Sequence, residues 1–161
     1  MTTPTLYEWA GGQDAFEKLT DVFYAKVLKD DLLGDLFRNM SPEHAKHVAR
    51  FLSEVMGGPK LYTGESKRSH AHMISRHVGR KLDETQRKRW VKLVLESADE
   101  IDMPADPEFR SALVGYLEWG SRMAVMNSQT SEDTVDKNTP MPEWGWGEPG
   151  GPDQPGPEEP E

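Results

Sequence analysis

Histidine carries the first chemical signal in this chain. All five, His44, His47, His70, His72 and His77, fall between positions 44 and 77 of 161 residues. Imidazole is the commonest protein ligand for borderline metals, and it binds iron in many haem proteins. His44 and His47 lie three apart, so in a helix they share a side. There is no cysteine, which excludes a thiol nucleophile, a Cys-ligated zinc or iron–sulfur site and a disulfide scaffold. A structural zinc site usually takes four ligands, often including cysteine. The zincin pair of histidines around a glutamate is missing, and so are G-x-S-x-G, a Walker loop and G-x-G-x-x-G. Gly57-Gly58-Pro59 ends a helix rather than opening one, so it is no phosphate loop. Spacing alone leaves open a catalytic metal on three histidines, or on two and a carboxylate. That reading describes a helical, histidine-rich non-haem metal protein, acting as a hydrolase or metal sensor. An acidic-tailed interaction module without a cofactor also remains open.

The surroundings of the histidines say more than their number. One face of the segment 42–56 carries His44, Val48, Phe51 and Val55, apolar residues beside one polar tip, as in a pocket wall. Tyr24 and Trp90 each join an apolar body to a single donor, which finds a partner when buried. Both would be equally at home as core aromatics.

The elements that must position these residues read as helices. Apolar residues recur at spacings of three and four, and strand-like alternation is absent. A first segment covers about 14–28, with Phe16, Leu19, Val22, Phe23 and Val27 on one stripe. A break with Gly34 inside it follows over about 29–40. Ser41-Pro42 is expected to cap and open the next helix, which stops at Gly57-Gly58-Pro59. A loop bearing Tyr62, Lys67 and Arg68 leads to a short segment over about 70–77. Asp83 with Gln86 three residues on has capping-box spacing, opening a helix with Trp90, Leu93, Val94, Ala98 and Ile101 on its stripe. Asp106-Pro107 opens the last, which ends near Asn127. There is no internal repeat.

Composition divides the chain near residue 130. Residues 131–161 hold nine acidic residues against one lysine, which is −8 of the chain's −9. Seven of the twelve prolines and five glycines also fall there. Such a stretch is expected not to pack, as a disordered acidic tail, with Trp144 and Trp146 solvated in it, or else docked on a partner or folded back on the body. The 1–130 body is nearly neutral, without the basic stripe that nucleic acid requires. No apolar run approaches the roughly 18–20 residues of a membrane-spanning helix, and MTTPTLYEWAGG has no signal-peptide pattern. A cytoplasmic protein is the expectation.

Taken in order, LYEWAGG near the start, Phe23-Tyr24, Phe37, FLSEVMGGPKLY at 51–62, Arg76-His77 and Trp90 resemble the truncated haemoglobins of group II. The resemblance covers about residues 5–128. It implies an all-α shortened globin, two helix pairs sandwiching a haem b, with His77 as the proximal metal ligand. Tyr24, Trp90 and His44 match distal positions facing a bound ligand, although His47 could take the place of His44, and either could bind iron directly. Phe37, Val48, Phe51, Leu82 and Val94 match haem-lining positions. Tyr62, His70 and Arg76 are candidates for the propionates, with Lys67 and Arg68 in reserve. The loop before His77 is about two residues longer than is usual in the family, and Ser69-His70-Ala71 replaces the customary Gly-His-Pro. The implied function is reversible binding of O2 and other diatomics. Turnover of NO or peroxide would need an external reductase, because no flavin or nicotinamide domain is attached. O2, NO, CO or peroxide are the expected ligands, and a weak homodimer the expected assembly.

Overall fold

Local devices bound most of the helices. In α1 (Leu6–Ala10) the Thr5 side chain accepts from the Glu8 amide while the Glu8 carboxylate accepts from the Thr5 amide. Asp83 and Gln86 repeat that reciprocal box at the start of α6 (Glu84–Glu100). Asp106 caps α7 (Pro107–Ser128), whose first residue is the proline. Between them run α2 (Gln13–Lys29), α3 (Gly34–Phe37), α4 (His44–Val55), a π-helical turn (Leu61–Glu65) and α5 (His70–Ser75). The computed structural model describes residues 2–65, 67–130 and 138–153, and among these it contains helices and no strand.

The helix after Ser41 begins later than its cap signal suggests. The Ser41 hydroxyl accepts from the amide of Glu43, and its carbonyl accepts from His44, making a turn before α4 rather than its first turn. Serine bonding its own backbone two residues on is the usual competitor of a cap. The break at 29–40 also holds the short α3, set by Asp30, whose carboxylate accepts from the amides of Leu32 and Leu33.

α2 packs against α4 and α6, and α6 against α7, giving two helix pairs joined through α2. Phe16, Leu19, Phe23, Val27, Val55, Val94, Phe109, Leu113 and Leu117 form the shared core. Arg89 pairs with Asp30 at 2.6 Å and Arg87 with Glu118 at 3.1 Å, tying α6 to the end of α2 and to α7. Gly57 lies at φ +94°, and a Cβ at Gly58 would sit 2.6 Å from the Tyr7 ring and 2.7 Å from the Ser53 carbonyl. Glycine therefore both turns the chain and lets α1 close on the end of α4.

The C-terminal segment corrects one expectation. Residues 138–153 have no regular structure, yet they are seated on the body. The Trp144 amide donates to the Val55 carbonyl at 2.8 Å, and the Trp146 indole donates to the Pro4 carbonyl at 2.8 Å. Trp144 also meets Tyr116 and Trp119 with ring centroids 5.5 and 5.7 Å away, and Trp146 meets Trp9 edge-on. Two aromatic anchors offset the ordering cost of the prolines and glycines around them. The rest of the acidic stretch, 131–137 and 154–161, lies outside the described residues.

Candidate functional site

Tyr24 stands on the buried face of α2 and is 5% exposed. Its hydroxyl hydrogen-bonds Nε2 of His44 across to α4 at 3.0 Å. Three rings hold it there: Phe23 at 4.8 Å, Phe37 at 5.7 Å and His44 itself at 5.1 Å. Burial pushes the Tyr24 hydroxyl well above the usual tyrosine range, so at neutral pH it always carries a proton to donate. Trp90, half-buried on α6, meets Phe23 edge-on at 5.7 Å. Val48, one turn after His44, packs at the edge of the same core. Tyr24, Phe37, His44 and Trp90 are thus drawn from four helices into one aromatic-walled cluster.

Of His44 and His47, it is His44 that meets Tyr24. His47 turns away, and its Nε2 accepts from Arg68 at 3.2 Å, while the other arm of the same guanidinium donates to Nε2 of His72 at 2.7 Å. Arginine has no acceptor, so both rings present a lone pair to it and are neutral. Arg68, a reserve candidate for the propionates, clasps α4 to α5.

His77 lies just past the end of α5. Its Nδ1–H donates to the Met73 carbonyl at 2.9 Å. That bond fixes the tautomer and leaves Nε2 with a free lone pair, the arrangement of a metal-binding imidazole. Burial holds its pKa below the ordinary histidine value, and Arg80 and Arg76 push it the same way. An open cleft of about 460 Å3 runs beside it, lined by Leu36, Arg76, Val78, Gly79 and Arg80. Burial likewise depresses His44 first, and the Arg76 and Arg80 charges push it the same way. His44 and His77 thus share the field of the Arg76–Arg80 cluster.

The remaining sequence candidates divide. Tyr62 is buried in the π-helical turn against Phe51, at 5.2 Å, and its hydroxyl meets Arg68. Glu54 anchors that turn by accepting from the amides of Tyr62 and Thr63, a role without any sequence signal beyond its spacing. Val94 lies in the core. Leu82 is pinned by its backbone to Ser128 and Gln129 at the end of α7. His70 sits against Phe51 at 6.1 Å and lines a second cavity away from the Arg76–Arg80 cleft.

The described residues do not favour the non-haem metal reading. Among the described residues no three of His, Asp or Glu converge on a point that could hold a metal ion. The histidines are spread over Tyr24, Arg68, Met73 and Phe51, and a guanidinium stands between two of them. No helix among the described residues is long and apolar enough to cross a membrane.

Two helix pairs around a Tyr-His-Trp cluster, with a half-buried imidazole presenting a free nitrogen, are the features of a globin. The chain belongs to the bacterial-like globin family, which matches residues 5–120. It is 30% identical over 122 residues to the group 2 truncated hemoglobin YjbI of Bacillus subtilis, covering 76% of this chain and 89% of that one. Its fold is similar to that of the group II truncated hemoglobin from Bacillus anthracis, with TM-score 0.69, 26% identity, and 78% and 93% of the two chains covered. A truncated oxygen-avid haemoglobin from Bacillus subtilis matches with TM-score 0.66 and 29% identity over 76% of this chain and 99% of that one. The chain is a truncated haemoglobin of the group II type, a haem globin for diatomic ligands.

Proposed function

We propose that the chain binds one haem b through Nε2 of His77 and holds O2 under the Tyr24 and Trp90 donors, with His44 as the resting partner of the Tyr24 hydroxyl. The hydrogen bond from His77 Nδ1 to the Met73 carbonyl carries this reading, because it spends one ring nitrogen on the backbone and keeps the other for a metal. Arg76 and Arg80 suit the carboxylates of a porphyrin edge, since cations on a half-open rim neutralise them without burying charge. Phe37, Val48 and Val94 supply apolar wall. His70 packs against Phe51 at 6.1 Å with a buried Nδ1 that has no partner.

When bound, the haem supplies a ferrous iron with one position open to a diatomic ligand. The protein's part is electrostatic. Tyr24 keeps its proton at all working pH values and offers it in a dry pocket, where a charge-assisted bond contributes roughly 1–3 kcal/mol. His44 engages that hydroxyl at rest, so a ligand needing the Tyr24 proton competes with it. Trp90 adds an indole N–H at the edge of the same cluster. The same donors suit a carrier of O2, or a cytoplasmic protein turning over NO or peroxide with electrons from a separate reductase, alone or as a weak homodimer. The oxygen avidity ascribed to the Bacillus subtilis structure favours tight O2 binding.

Titration of the purified chain with hemin tests this directly. One equivalent is expected to give a Soret band, and His77→Ala to abolish it or leave the haem loosely held. An unchanged spectrum in His77→Ala removes the ligand assignment.

A further inference from the structure

We infer that the C-terminal segment builds a second small-molecule site, taking a neutral two-ring aromatic with one hydrogen-bond donor. Residues 139–144 run over α5 and α7 and leave a half-open cavity of about 370 Å3 between them. Its walls are Trp119 and Met123 of α7, Ile74 of α5, and Met141 and Trp144 of the segment. The cavity is lined by none of His77, Tyr24 and His44, and His70, whose buried Nδ1 has no partner, completes its wall.

The lining selects the ligand. The Trp119 and Trp144 rings lie 5.7 Å apart at 36°, already packed against each other and against Tyr116. They form a rigid aromatic wall that loses little entropy when a flat ring lies on it. Methionine on both sides of the cavity adds polarisable sulfur that adapts to a ring edge. An apolar protein cavity of about 150 Å3 accommodates benzene, so this volume admits two fused rings. Glu143, on the rim, repels a carboxylate and accepts from an N–H or O–H. The Trp144 amide bond to Val55 fixes the roof to the foot of α4. Ile74 adjoins Met73, whose carbonyl orients His77, so occupancy borders the proximal side.

Indole is the probe, titrated calorimetrically into the haem-loaded, CO-saturated chain, whose haem pocket is then full. Saturable one-to-one binding is expected, weakened at least about tenfold by Met123→Trp and by Ile74→Trp, each of which fills the cavity with the segment still docked. Thermal unfolding checks that both variants fold. Indole-3-carboxylate, the same ring with a negative charge, should bind about fivefold more weakly, and Glu143→Gln should close that gap. No saturable binding of indole overturns the proposal, as does undiminished binding in either filled variant. Equal affinity for the anion overturns the role given to Glu143.

Discussion

Tyr24→Phe isolates the distal hydrogen bond with little else disturbed. The substitution removes one oxygen and keeps the ring, so the packing against Phe23 at 4.8 Å and Phe37 at 5.7 Å survives. The hydroxyl faces His44 Nε2 at 3.0 Å, and it has two uses: at rest it bonds His44, and with a ligand in place it donates to that ligand. Losing the first is worth about 1 kcal/mol, the net value of a neutral bond. Losing the second is worth roughly 1–3 kcal/mol, because the acceptor carries developing charge and water is excluded. Only the second slows ligand escape, and 1.4 kcal/mol is tenfold in rate. The O2 dissociation rate should therefore rise about tenfold or more, measured by stopped flow on the reduced, haem-loaded chain. His44→Leu frees the hydroxyl from its resting partner and should slow dissociation or leave it unchanged. If Tyr24→Phe folds normally and its off-rate stays within twofold of the parent, Tyr24 does not hold the ligand.

Other outcomes follow from the same geometry. Trp90→Phe keeps the contact with Phe23 and deletes the indole N–H; a rise in the O2 off-rate of several-fold is expected, and none would confine Trp90 to packing. Arg68 donates to neutral His47 and His72, and burial with the Arg68 charge depresses both pKa values below the ordinary value of about 6.5. Below that pH the unfolded chain binds more protons than the folded one, so stability falls as pH drops from 6.5 towards 5. Arg68→Leu should raise both histidine pKa values by NMR and flatten that pH dependence of the urea midpoint; unmoved pKa values would contradict the clasp. Trp144→Ala strips a half-buried aromatic from Tyr116 and Trp119 and should cost about 2 kcal/mol in urea unfolding, whereas a loss below about 0.5 kcal/mol would mean the segment is only loosely seated.

Read from the chain alone, the architecture was legible wherever a local rule sufficed. Asp83 with Gln86, Asp106 with Pro107, and Gly57-Gly58-Pro59 mark ends that depend on residues within one turn, and the structure keeps all three. Tyr24 and His77 were singled out by their resemblance to a family pattern, and the order of those motifs carried the fold with them. The tertiary structure decided what depends on direction rather than spacing. His44 and His47 sit on nearly the same side of one helix, and only the packing of α4 on α2 turns the first to Tyr24 and the second to Arg68. Trp146 reaches a carbonyl 142 residues earlier, a contact invisible to any local reading of a stretch rich in proline and glycine. Helix ends answer to nearest neighbours in sequence, whereas pockets and docked segments answer to neighbours in space, which the chain acquires only once its apolar faces have closed on one another.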